Sequence, residues 1–423
     1  MNHYKRPELL APAGGMSQLK AAIRFGADAV YGGLPRFGLR ASADLFTMES
    51  LGEALEIVHG AGKKFYLTLN ILPYDDELED LAETAREAWE HGIDAALVSD
   101  PGAFLIIKKR VPQLSLHVST QANVMNAETA RLFMDLGASR IVLSRELSLK
   151  RIAELKKQLP DSTELEAFVH GAMCMAYSGR CMLSDHLAGR GGNRGDCAQP
   201  CRWQYHLVEE KRPGEIISVE EDGRGTSIFS SYDLCMLEHL PDMLASGISS
   251  LKIEGRMKTA FYVSHVVTCY RQALDLLIYE GEEAYRAALP RLMKELEKAS
   301  HRPWNTGFYY GAPQPSGGAG GVTQTMEYTA DVISWENELL TLRVKNRFYV
   351  GDTLEILRPD GFASLLIERI TDFETGKELQ TVSVAGQIVQ VPCHCQAVPG
   401  DYVRGPNRNH QSSYGCQSKG SEL

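Results

Sequence analysis

Four segments of the chain repeat one pattern: a helix-like run that closes on a glycine, a small polar turn, and then an apolar strand. They read FGADAVYGG, HGIDAALVSD, LGASRIVLS and SGISSLKIEGR. Gly26, Gly92, Gly137 and Gly247 stand where a helix ends in a left-handed residue, and Val30, Leu97, Val142 and Leu251 lie in the strands that follow. In the first unit Met16, Leu19 and Ile23 also share one helical face. Extending the rhythm gives eight strands, over 8–13, 29–33, 65–70, 95–99, 114–121, 140–144, 164–171 and 250–255. Eight short parallel strands alternating with helices favour a closed (β/α)8 TIM-like barrel over an open doubly wound sheet. No glycine-rich dinucleotide fingerprint follows the first strand to support the open sheet.

The seventh interval breaks the rhythm, because 78 residues separate Gly171 from Ser250. The predicted organisation is therefore a barrel domain over 1–309 with an insertion over 172–249 that leaves the C-terminal end of the seventh strand. That end is where barrels of this kind do chemistry. After a long helix from about Thr259 to Glu280, the Gly/Pro-rich stretch YGAPQPSGGAGGVTQT marks a linker over 310–327. From 328 to 405 the period changes to two, which predicts a small β-barrel domain, and the polar tail over 406–423 is expected to be disordered.

With 423 residues, 44% of them hydrophobic, the chain can bury a substantial core. Its opening lacks the apolar segment of a secretory signal, and no later run reaches the length of a membrane span. A soluble cytoplasmic protein with no membrane partner is expected. A net charge of -10 argues against indiscriminate nucleic-acid binding but leaves room for a local basic surface. Nine cysteines, an odd number in a reducing compartment, point to free or metal-bound thiols and not to a disulfide framework.

Four of those cysteines, Cys174, Cys181, Cys197 and Cys201, lie in the insertion with six, fifteen and three residues between them. Soft thiolates suit zinc or an iron-sulfur cluster, and the spacing is looser than the paired CxxC of zinc ribbons, which favours the cluster. The plain alternative is four free thiols in a packed loop, against which stand Gly179, Gly189, Gly191, Gly192 and Gly195. Cys235 returns just before the eighth strand and could replace one ligand, its plainer reading being a buried helical thiol. Cys269 reads as core, and Cys393 with Cys395 around His394 is a weak candidate for a second metal.

Strand alternation turns every second side chain toward the barrel axis. With Leu114, Leu116 and Val118 outward, His117, Ser119 and Gln121 face inward. Leu165, Ala167 and Val169 outward put Glu166, Phe168 and His170 inward, and Leu251 and Ile253 outward put Lys252 and Glu254 inward, with Asn70 at the end of the third strand. The candidate catalytic set is thus His117, Gln121, Glu166, His170, Lys252 and Glu254. For the charged members, the plain alternative is a satisfied ion-pair network. Arg180, Arg190, Arg194 and Arg202 accompany Tyr177, Trp203 and Tyr205 in the insertion, a mixture able to contact phosphates and stack on a base, or simply a solvated loop.

The string EAFVHGAMCMAYSGRCMLS, with LAPAGG, GRGGNRGDCAQPCRW and SLKIEGRMK, closely resembles the signature of the U32 family, historically called peptidases or collagenases. The resemblance spans nearly the whole chain, and is nearest to the bacterial branch that helps make 5-hydroxyuridine at the wobble position of tRNA. It implies an iron-sulfur cluster, most often [4Fe-4S], with tRNA as partner and prephenate as a required metabolite. A partner subunit of the same family is a further candidate. Some ubiquinone-branch members lack a counterpart of Cys201 and use a later cysteine, so both Cys201 and Cys235 stay open. Arg145, Lys252 and Arg256, at strand ends, could clamp such a dicarboxylate, and Arg194 is the insertion's candidate for substrate. The competing class is a peptidase, for which Cys174 with His170 is the tempting dyad, since neither HExxH nor GxSxG occurs.

Overall fold

The computed structural model describes residues 4–39, 45–174, 176–178, 180–203, 221–222, 225–226, 232–311 and 322–408. Most of the expected linker, the tail from 409, Tyr205 and the Arg202 side chain lie outside the described residues. Each of the eight expected strands forms: β1 (Glu8–Pro12), β2 (Ala29–Gly33), β3 (Lys64–Leu69), β4 (Ala95–Val98), β5 (Ser115–Val118), β6 (Ala138–Val142), β7 (Glu164–Ala172) and β8 (Ser250–Ile253). Neighbours pair in parallel, and β8 pairs with both β1 and β7, which closes the barrel. Six helices alternate with the strands, from α1 (Met16–Arg24) to α6 (Leu149–Lys156). The repeated glycines take the conformation expected of them, with φ of 104° at Gly26, 104° at Gly92, 97° at Gly137 and 90° at Gly247.

Two strand ends depart from simple alternation. The fifth strand stops at Val118, because the Ser119 hydroxyl accepts from the Gln121 amide and starts a tight turn over Thr120–Ala122. In β7 the register slips against β8: Phe168 pairs with Lys252, but His170 pairs with Ile253, so Val169 is an extra residue. At Gly171, whose φ is 104°, a Cβ would come 2.4 Å from the Glu254 carbonyl oxygen, so only glycine fits there. Beyond this bulge β7 pairs antiparallel with a short strand, Asp233–Cys235, inside the insertion. The insertion also carries a short helix, Leu183–Ala188, and returns to the barrel at Leu240–Ala245.

The long helix expected near 259–280 forms as Ala260–Asp275 with a wider turn over Leu276–Glu280. It is buried along most of its length between the barrel and the C-terminal domain. That domain is antiparallel, with β9 (Met326–Glu336), β10 (Leu339–Val344), β11 (Thr353–Arg358), β12 (Gly361–Leu366), β13 (Ile388–Pro392) and β14 (Tyr402–Pro406) as its main strands. Its end is ordered slightly past the expected boundary: Asn407 donates its amide to the Thr325 carbonyl at 2.9 Å. No helix among the described residues is long and apolar enough to cross a membrane.

The two domains are joined by buried charge as well as by apolar contact. Arg404 on β14 is fully buried and donates from Nε to Glu355 at 2.7 Å, and it also pairs with Glu295 of the barrel's last helix, Glu282–Leu296. Phe261 and Tyr328 stack across the interface with centroids 5.3 Å apart. Removing the guanidinium takes one of two cations from Glu295 and Glu355, which are 12% and 21% exposed and keep Lys298 at 2.9 Å and 3.0 Å. Arg404→Ala is therefore expected to lower unfolding stability by about 1.5–3 kcal/mol in denaturant titration; a loss below about 1 kcal/mol would show that the interface does not depend on this residue.

Candidate functional site

The barrel floor is an ionic network that links four neighbouring strands around the closure. Glu166 on β7 is completely buried; its Oε1 accepts from Lys252 Nζ at 2.7 Å and its Oε2 from Arg140 at 3.1 Å. Arg140 on β6 continues to Glu8 on β1 and to Glu164. Burial weighs against charge on Glu166, but the two cations outweigh it and hold the carboxyl below its usual range. Lys252 feels its own burial most, which lowers its pKa, and Glu166 opposes that. Its ammonium also lies 4.3 Å from the Tyr31 ring centroid and 5.5 Å from that of Phe168.

Above this floor opens a cavity of about 960 Å³. Tyr31, Asn70, Gln121, Arg145, Lys252, Glu254 and Arg256 line its lower wall, and Cys174, Cys181, Cys197 and Cys201 line the part covered by the insertion. The candidate thiols and most of the candidate polar groups therefore meet in one space. Arg145 stacks on Phe168 with its guanidinium carbon 3.9 Å from the ring centroid and donates to the Ala172 carbonyl at 3.0 Å. Among the described residues its Nε finds no hydrogen-bond partner, nor do the buried Gln121 Oε1 and Asn123 Oδ1. Arg256 is held by Thr68 Oγ1 at 2.9 Å and by the Leu39 carbonyl. Gly14 lets the chain pass close by, since a Cβ there would stand 2.1 Å from the Arg256 carbonyl oxygen.

Four sequence candidates stand elsewhere. His117 does point into the barrel, but in the layer below: its ring centroid is 4.7 Å from that of Tyr66, and it lines a separate cavity of about 580 Å³ among the first residues of the strands. Burial, then the nearby Arg140, drive its pKa well below the ordinary value. His170 is turned out of the barrel by the extra residue at Val169 and packs among Tyr262, Tyr270 and Trp304. It does not line the cavity that Cys174 lines, so the cysteine-histidine dyad is not formed. Arg194 pairs with Glu77 and lies over Tyr74, fastening the insertion to the loop after β3 instead of facing the cavity. Cys235 is buried in its short strand, not a helix, with its sulfur 3.9 Å from Tyr270 Oη and its thiol pushed by burial up to about 12, outside the cavity.

Sequence reasoning missed Tyr31 and Thr68. Tyr31 donates to the Ile253 carbonyl at 2.9 Å and supports Lys252 from below, and Thr68 positions Arg256. The signal for Tyr31 was its place beside the outward Val30 in β2. At the mouth, Tyr177 and Met182 are exposed, while Arg190 is engaged with Asp196 and Trp203 is exposed elsewhere in the insertion.

Fold and cavity together define a barrel protein with a thiol-lined chamber at the C-terminal ends of its strands. Residues 14–318 match the model of peptidase family U32 and residues 324–404 that of the peptidase family U32 C-terminal domain. The chain belongs to this family. It is 35% identical to tRNA hydroxylation protein P1 of Bacillus subtilis over 95% of this chain and 95% of that protein. It is 33% identical to tRNA hydroxylation protein P of Escherichia coli over 92% of this chain and 94% of that one. A collagenase of Porphyromonas gingivalis is 31% identical over 93% of this chain and 96% of its own length.

The buried histidines make stability depend on pH. Burial, ranking first among the causes, holds His170 and His265 at about 3. In the unfolded chain a histidine takes its proton near ~6.5. Between those values the unfolded state binds more protons, so this stabilisation is complete above about pH 6.5 and is lost as the pH falls toward about 3. Each such histidine steepens the loss by up to ~1.4 kcal/mol per pH unit. Urea unfolding of His170→Phe between about pH 7 and about pH 4.5 should give a shallower slope than the parent protein. An unchanged slope would contradict the buried neutral state.

Proposed function

We propose that this protein is an RNA-modifying enzyme that hydroxylates the wobble uridine of tRNA to 5-hydroxyuridine, with a [4Fe-4S] cluster on Cys174, Cys181, Cys197 and Cys201 and with prephenate as co-substrate. The observation that carries the reading is the meeting of the four loop thiols with Arg145, Lys252 and Arg256 around one cavity. The names of the relatives from Bacillus subtilis and Escherichia coli supply the reaction class. A cytoplasmic site of action follows from a tRNA substrate.

The donor set fits the cluster. Thiolates are its usual ligands, and the Gln199 amide donates to Cys197 Sγ at 3.4 Å, the kind of contact that tunes a sulfur ligand. Among the described residues no three His, Cys, Asp or Glu side chains converge as ligands of one metal ion. When bound, such a cluster supplies one-electron redox chemistry.

The chain's own residues prepare the rest. Arg145, Arg256 and Lys252 offer positive charge to a dicarboxylate, and the Phe168 ring fixes the plane of the Arg145 guanidinium. Gln121 Oε1, buried on the cavity wall and without a hydrogen-bond partner among the described residues, is an acceptor for the N–H group of a base or the hydroxyl of a metabolite. Tyr177 gives the rim an exposed ring on which a splayed base can stack. The insertion roofs the chamber and limits water. The cysteine-histidine pair that the sequence offered for peptide hydrolysis does not assemble, because His170 is turned away from Cys174's cavity.

In a strain without a second family member, deleting the gene should remove 5-hydroxyuridine and its derivatives from tRNA, read by mass spectrometry of nucleosides, while bulk proteolysis is unchanged. Complementation with Cys174→Ala or Lys252→Ala should leave the modification at background although both variants are folded by circular dichroism. Unaltered hydroxyuridine in the deletion strain would reject the tRNA reading, and full rescue by Lys252→Ala would reject the role of the floor.

A further inference from the structure

The C-terminal domain holds a second pair of thiols, which the proposed function leaves unused. In a regular strand, side chains two residues apart share a face roughly 7 Å from each other. Here β13 ends at Pro392 and the chain bends at His394 and Cys395, which brings Cys393 Sγ to 3.3 Å from Cys395 Sγ. The bend is pinned from both sides. The Cys393 amide donates to the Glu338 carbonyl at 2.8 Å, and Trp335 Nε1 donates to the Cys393 carbonyl at 2.9 Å. Both anchors belong to the hairpin that joins β9 to β10. His394 turns the other way, 78% exposed beside Glu338, so the Cys-His-Cys metal set raised by the sequence does not assemble.

We propose that Cys393 and Cys395 are a dithiol site that takes oxidising equivalents from a low-molecular-weight disulfide and closes an intrachain disulfide at this hairpin. Cys395, the more open of the two, is the attacking group, since Cys393 is 3% exposed and burial pushes its thiol up to about 12. With glutathione disulfide as oxidant, the Cys395 thiolate displaces one glutathione and forms a mixed disulfide. Cys393 sulfur then attacks Cys395 sulfur and displaces the second glutathione. Two sulfur–hydrogen bonds and one glutathione sulfur–sulfur bond are exchanged for one protein disulfide and two glutathione thiols, and the two electrons pass from protein to glutathione. Neither thiol lines the cavity of the proposed cluster, so the site works apart from it.

Tryptic cleavage after Lys377 and Arg404 isolates residues 378–404, whose only cysteines are this pair. The full-length protein, incubated with glutathione disulfide, blocked with N-ethylmaleimide and digested, should yield this peptide two hydrogens lighter than its reduced form and carrying no maleimide. In Cys393→Ser the same peptide should instead carry one glutathione on Cys395. A wild-type peptide alkylated on both thiols, one retaining glutathione on Cys395, or one linked to a different cysteine would overturn the proposal. Because the wild-type digest decides the matter, misfolding of the variant does not protect it.

Discussion

The carboxylate of Glu166 is the point on which the barrel turns. It has no contact with water and accepts from Lys252 on β8 and from Arg140 on β6, and Arg140 passes the connection on to Glu8 on β1. Four strands around the closure are thereby tied through one buried anion. A lone buried carboxylate would be costly, and so would either cation by itself, so each member requires the others. The same arrangement holds Lys252 upright under the chamber, between the rings of Tyr31 and Phe168. Structure and candidate chemistry therefore share residues. The plain reading of these charges as an ion-pair network is what forms, and the ammonium of Lys252 that pairs with Glu166 is the same group that the proposed chemistry would use.

The barrel could be read from sequence because its signals are local. Gly26, Gly92, Gly137 and Gly247 close helices in a conformation that glycine adopts at little cost, and the apolar runs after them have nowhere to go but a buried sheet. The change of period near 326 is local in the same way. Alternation also placed Lys252, Glu166 and Phe168 correctly, because nothing interrupts those stretches. It failed at His170, where one extra residue in β7 reverses the side of the strand, and the only trace of this in sequence is Gly171. For His117, alternation found the right face but carries no information about which end of the barrel a layer serves. Arg194 shows a different limit: its partner Glu77 is 117 residues away, and no spacing rule connects them.

The family name and the site pull in different directions, and geometry separates them. A thiol peptidase needs a base beside its nucleophile. Here the nearest histidine in sequence, His170, is locked among aromatic rings behind β7, kept neutral by burial. What shares the cavity with the loop cysteines is Arg145, Lys252 and Arg256 with the Gln121 amide, alongside Glu254, Asp185 and His186. The C-terminal domain, fastened through Arg404, backs the long helix Ala260–Asp275, and Tyr270 of that helix donates to the Val169 carbonyl at 2.8 Å, at the bulge itself. The docking of the second domain thus bears on the strand from which the cysteine insertion departs.

The claim that the loop thiols form a redox centre over this floor is tested most directly by iron and acid-labile sulfide analysis of the anaerobically purified protein and two variants. The expected result is about four irons and four sulfides per chain, lost in Cys201→Ala and retained in Cys235→Ala, because Cys201 lines the chamber and Cys235 does not. Stoichiometric zinc without iron, or iron that survives Cys201→Ala and disappears with Cys235→Ala, would contradict it.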